Sequence, residues 1–291
     1  MKKSILFIFT ACFLFTTSCS DFLDEEHKTK YSSEYVFGTP EGLKLAVNAL
    51  YALQRYYAND TENATIFALE RGTDLAVTNG GTGNFYGLYD PNYLKPSASQ
   101  VGFMWRTMYQ IIGKANEIIA AAEDLEDTPS LRATVSEAKC FRAQSYFLLY
   151  RTFDRIWLNI QPTTAENVND PRDFHAASEK EVFDLIYEDL EYAITNLDWV
   201  SDEAGRFTQA AARHMKAKAA LWLKDWDTTL EQVEEIEKSG HFDLIALNEV
   251  FNARDLNHKE ALMVQQWSKN PGGNLSNATP KGNYYAAYFI A

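Results

Sequence analysis

Three cysteines in 291 residues leave no framework of cross-links. Cys12 lies in an apolar leader, Cys19 directly follows that leader, and only Cys140 stands in the body of the chain. An intrachain disulfide therefore has no second partner, and stability must come from core burial. Histidine is equally scarce. His27, His175, His214, His241 and His258 are scattered, with no H-E-x-x-H and no cysteine or histidine pair at ligand spacing, so no metal and no cofactor is expected. A G-x-S-x-G elbow is also missing. Gly81-Thr82-Gly83 is not set in a strand–turn–helix unit, as a phosphate loop would be. Cations are in deficit: without Lys2 and Lys3 the 27 basic residues fall to 25 against 40 acidic, a net charge of −15. Nucleic acid, which needs a basic footprint, is not an expected partner. No apolar run reaches the roughly 20 residues of a membrane-spanning helix.

What is present begins with an address. Lys2 and Lys3 precede an apolar run from Ile5 to Phe15, and Thr16-Thr17-Ser18 then leads to Cys19. This order reads as a cleaved secretory signal over 1–18. A cysteine at the cleavage point makes Cys19 the expected lipidation site. Acyl chains contribute about 0.8 kcal/mol per buried methylene, so several on one cysteine give lasting attachment. Residues 19–40 read as an acidic tether and N-terminal extension, and 41–291 as the folded domain.

Helical periodicity dominates that domain, over about 41–57, 102–125, 131–157, 178–197, 207–224 and 226–239. Leu43, Val47, Leu50 and Leu53 form one stripe; Val182, Leu185, Ile186 and Leu190 form another. Ser178 with Glu181 is a capping box, and Ser239-Gly240 a helix stop. Ala138-Lys139-Cys140-Phe141-Arg142-Ala143 aligns with Ala212-Arg213-His214-Met215-Lys216-Ala217, and the register continues with Phe147 over Leu221 and Leu149 over Leu223. Lys224-Asp225-Trp226 then reads as a tight turn into an antiparallel partner. The predicted fold is all-α: a tetratricopeptide-like helical-repeat superhelix with long irregular loop insertions. Trp105, Trp222 and Trp226 are expected in the core or in repeat packing, Cys140 as buried filler, and Arg142 in a structural ion pair with Glu137 or a carboxylate of a neighbouring helix.

The stretch 71–101 breaks the pattern. It is rich in glycine and interleaves Phe85, Tyr86, Tyr89 and Tyr93 with Asp74, Asn79, Asn84, Asp90 and Asn92. An irregular insertion of about 30 residues in a helical domain is uncommon and usually functional or disordered. Flat rings suit sugar C–H faces and short polar side chains suit hydroxyls. The candidate ligand-binding residues are therefore Asp74, Asn79, Asn84, Phe85, Tyr86, Tyr89 and Tyr93; the alternative is that the rings pin the loop to the scaffold. Irregular stretches at 158–177 and after 268 are less aromatic near their starts.

Five stretches, in order, resemble the SusD/RagB family. They are Cys19-Ser20-Asp21-Phe22-Leu23-Asp24; Gly42 to Tyr51 with Asn48; Trp105, Tyr109, Ile112, Ala115 and Asn116; Glu137 to Phe147; and Gly205-Arg206-Phe207-Thr208 with Ala217 to Leu223 and Asp225-Trp226. Phe153-Asp154-Arg155-Ile156-Trp157 lacks the glycine–proline turn usual there. Members usually run much further, so the resemblance implies an incomplete C-terminal part.

The resemblance also implies a function. It is that of an outer-membrane lipoprotein, facing the exterior, that captures glycan or oligosaccharide for a SusC-like TonB-dependent transporter and has no catalytic residues. A helical-repeat protein scaffold without glycan binding is the alternative. A glycoside hydrolase stays open, because among 40 acidic residues a working pair needs only the right separation.

Overall fold

The computed structural model describes residues 31–59, 99–171, 174–250 and 257–264. Their regular structure is helical: α1 (Ser33–Gly38), α2 (Pro40–Asn59), α3 (Ser99–Ala122), α4 (Pro129–Thr152), α5 (Glu179–Asn196), α6 (Gln209–Leu223), α7 (Trp226–Lys238) and α8 (Leu247–Val250). Each helix from α1 to α7 packs on its neighbour in the chain, and α4 also touches α2 and α6. This is the expected helical-repeat array.

Local chemistry sets the helix starts. Ser32, Thr128, Ser178, Thr208 and Asp225 each cap a helix with a side-chain oxygen, satisfying an amide that lacks an intrahelical acceptor. The capping box forms in both directions, with Ser178 N–H donating to Glu181 at 2.8 Å. Between α6 and α7, Lys224 adopts the left-handed conformation (φ 61°), and Asp225 N–H donates to Ala220 O at 2.9 Å. A side chain there costs about 1 kcal/mol relative to glycine. Lys224→Gly is expected to stabilise the chain by about 0.5–1 kcal/mol, read as a small rise in urea midpoint.

The core runs through α2 to α6. Leu43, Val47 and Leu50 of α2, Ile112 and Ile118 of α3, Phe141 and Tyr146 of α4, and Val182, Ile186 and Leu190 of α5 are essentially inaccessible. Burying each apolar side chain of this size contributes about 1.5–3 kcal/mol. Cys140 is buried and unpaired to another cysteine, and burial pushes its thiol well above the ordinary range. α1 lies directly over α2 at Gly42, where an added Cβ would sit 2.2 Å from the Tyr35 carbonyl oxygen.

Two expectations change. The helix expected over 131–157 ends at Thr152, because the chain leaves α4 extended at Phe153 (φ −121°, ψ 139°). Trp105 is half-buried against Tyr109 and Phe153, and Trp222, though half exposed, meets Phe147 of α4 edge-on at 6.4 Å, both as expected of repeat packing, whereas Trp226 is exposed.

Candidate functional site

The family-like motifs of α3, α4 and the α5–α6 connection converge in space, and what they build is a pedestal. Asp189 of α5 is fully buried and receives three bonds: Lys139 Nζ at 2.8 Å, Arg142 Nε at 2.7 Å and Arg142 Nη2 at 2.8 Å. The remaining guanidinium nitrogen, Arg142 Nη1, donates to Asn116 Oδ1 at 2.8 Å. Asn116 Nδ2 in turn donates to Asn159 O at 2.7 Å. Arg142 thus pairs with a neighbouring helix, as one of the two sequence expectations had it, and its carboxylate is Asp189 and not Glu137.

This network fixes an extended segment after α4. Tyr109 Oη donates to Trp157 O at 2.8 Å and accepts from Trp157 N–H at 2.9 Å. Tyr146 does the same for Asn159, at 2.9 and 2.8 Å. Two phenols therefore satisfy backbone groups that no helix or sheet serves. Burial raises both phenols above their ordinary range, so they stay protonated and able to donate.

A second cluster seats the Gly205–Thr208 motif. Gly205 turns with φ 86°. Arg206 pairs with Glu137 at 3.2 Å and Glu203 at 2.9 Å. Phe207 N–H donates to Tyr51 Oη at 2.7 Å, and its ring meets Phe141 edge-on at 4.9 Å. Tyr51 Oη donates to Glu137, and burial pushes this phenol far above its usual value.

Burial also lifts the Glu137 carboxyl above its ordinary 4.5, against the pull of Tyr51 and Arg206. A carboxyl that holds its proton more tightly when folded favours folding most at low pH. Its contribution falls as pH rises from about 4.5 and levels off once the folded group has ionised. Glu137→Gln is expected to flatten that part of the stability–pH curve, measured as urea midpoints from about pH 4 to 7.

Beyond the pedestal runs a line of rings. Phe153 meets Trp105 at 5.0 Å, Trp105 meets Tyr109 at 4.8 Å, Tyr109 stacks on Trp157 at 6.4 Å, and Trp157 meets Phe174 at 4.8 Å. Phe174 is 70% exposed. Trp157 and Phe174 were not among the sequence candidates; their signal was one aromatic just before the 158–177 stretch and one near its end. The sequence candidates Asp74, Asn79, Asn84, Phe85, Tyr86, Tyr89 and Tyr93, and Cys19, lie outside the described residues. The stretch that carries the first seven leads directly into α3, which bears Trp105 and Tyr109. Among the described residues there is no group of three or more metal-ligating side chains, and no helix is long and apolar enough to cross a membrane.

Antiparallel helical hairpins stacked in chain order define a tetratricopeptide-like class. Residues 21–221 match the SusD-like family described as "Starch-binding associating with outer membrane". The chain belongs to this family. A SusD-like protein of Bacteroides ovatus is 25% identical over 92% of this chain and 50% of its own length. Among solved structures, a laminarin-binding SusD-like protein superposes with a TM-score of 0.67 at 23% identity, covering 77% of this chain and 50% of that one. A crystal structure with xylogluco-oligosaccharide superposes at 0.65 and 22% identity, covering 78% and 46%. The chain spans about half the length of the curated relatives it matches.

Proposed function

We propose that this protein binds oligosaccharide at the bacterial outer membrane, through rings carried by the 71–98 stretch and by the adjacent line that ends at Phe174. The carrying observation is that line. A rigidly held aromatic series reaches solvent at Phe174, beside the helix that the candidate stretch enters. Aromatic faces held in place by a hydrogen-bonded pedestal lose little freedom on binding, which favours affinity. The family match and the glycans named for the structural relatives support the same ligand class.

The reading extends to the membrane and to a partner. Cys19 carries the lipid anchor, the domain faces the exterior, and captured glycan passes to a SusC-like TonB-dependent transporter. The protein performs no catalysis. The domain division, with signal over 1–18, tether over 19–40 and binding domain from 41, belongs to the same proposal.

Affinity electrophoresis on laminarin and xyloglucan tests it. Tyr86→Ala with Tyr89→Ala is expected to weaken retention on the order of tenfold, about 1.4 kcal/mol. Phe174→Ala is expected to act in the same direction. Retention unchanged in both variants would overturn the assignment of these rings.

A further inference from the structure

The corner where α4 and α6 end gathers cations and rings that the line from Phe153 to Phe174 does not use. Arg151, in the last turn of α4, lays its guanidinium over the Phe147 ring at 4.3 Å. Phe147 is backed by Phe183 of α5, edge-on at 6.2 Å, and meets Trp222 of α6 edge-on at 6.4 Å. Phe147 and Arg151 lie about one turn apart on α4, as do Lys218 and Trp222 on α6, so each pair shares a helix face. The contact of Phe147 with Trp222, and the repulsion Lys218 feels from Arg151, turn the two faces towards each other.

The chain has 40 acidic residues against 27 basic, yet α4 and α6 bring two cations to one corner. Lys218 is partly buried. Burial first, and the Arg151 charge second, hold its ammonium below the ordinary lysine range. An anion set between the two cations offsets the repulsion and favours the charged lysine. Stacking on Phe147 engages the guanidinium through its flat face, whereas its donors lie in the plane and point past the ring. Trp222 supplies an apolar surface beside them. It is 49% exposed, and a T-shaped contact leaves at least one indole face uncovered by Phe147.

We propose that this corner binds a uronic acid unit of an anionic oligosaccharide. Arg151 holds the carboxylate through paired N–H bonds and Lys218 holds it as a point charge, while the Trp222 face takes the C–H side of the sugar. A uronic acid presents both features on one ring, a carboxylate at the rim beside an apolar surface. The inference rests on the oligosaccharide reading for its ligand class and adds a second site, selective for charge. A neutral glycan gains nothing from the two cations, and a carboxylate without a ring gains nothing from Trp222.

The test is isothermal calorimetry of the purified chain with trigalacturonate, its methyl ester and tricarballylate, alongside affinity electrophoresis on laminarin. Trigalacturonate is expected to bind, and both the ester and tricarballylate to bind about tenfold more weakly or worse. Arg151→Gln, Lys218→Gln and Trp222→Ala are each expected to weaken trigalacturonate about tenfold and to leave retention on laminarin unchanged. Removing one of two apposed cations relieves repulsion, so the melts of the two glutamine variants should be no lower than the parent's. Equal affinity for the acid and its ester, equal affinity for tricarballylate, or unchanged binding by both glutamine variants overturns the proposal. So does a failure of trigalacturonate to bind. Retention on laminarin in the same preparation then shows that the failure belongs to this site and not to oligosaccharide binding as a whole.

Discussion

Asp189→Ala is expected to lower stability by about 3–5 kcal/mol, the largest loss of any substitution considered for this chain. The reason is the charge left behind. Lys139 and Arg142 are buried and draw three of their hydrogen bonds from this one carboxylate. Without it, two cations remain in the core with only Asn116 to receive a guanidinium proton. Urea denaturation followed by circular dichroism measures the loss. Replacing Lys139, Arg142 and Asp189 together by Met, Leu and Leu should recover most of it, since an apolar set of similar volume can match a buried ion cluster. A triple variant as unstable as the single one would show that the cluster contributes beyond its own neutralisation.

Gly42→Ala is expected to release α1. The new methyl would lie 2.2 Å from the Tyr35 carbonyl oxygen and 2.6 Å from Val36 Cα, both backbone atoms that cannot rotate away. The chain can escape the clash by letting α1 detach. The loss is then capped near the worth of docking that helix, which has no fully buried residue and contributes mainly the partly buried Phe37. That is about 2 kcal/mol. The distinguishing readout is local: hydrogen exchange at 33–38 should accelerate by orders of magnitude, while α4 and α5 keep their protection. Uniform acceleration across the core would refute the capped-loss account.

The helices were legible because each has one apolar stripe and a recognisable cap. Five of the six expected segments agree with the structure to within about three residues. The sixth overran beyond Thr152 for a specific reason. Ile156 is buried and Trp157 and Leu158 are partly so, so their hydrophobicity continued a helical pattern in a segment that is extended. Its backbone partners are phenols of α3 and α4, which no local window contains. The same limit applied to Arg142. Its need for a carboxylate was readable from charge and surroundings, but the choice between Glu137 and a neighbouring helix required the α4–α5 packing. Exposure of Trp226 was unreadable for the opposite cause. It opens an amphipathic helix as a packing residue would, and nothing local distinguishes a covered face from an open one. Of the candidate site, the sequence marked the aromatic stretch before α3 and overlooked Trp157 and Phe174, whose proximity arises only when the connection after α4 folds back along α3.

The hydroxyls of the two tyrosines that hold the connection after α4 bind only main-chain atoms. Each hydroxyl accepts one N–H and donates to one C=O of the same residue, so neither pair of hydrogen bonds depends on the side chain carried at 157 or 159, and at 157 the Tyr109 ring asks only for a flat face. Anchoring and display are thereby uncoupled. A lineage could exchange the ring at 157 for another shape, retuning what the surface recognises, while the path of the chain stays fixed. Proline alone is barred at those two positions, for want of the amide proton.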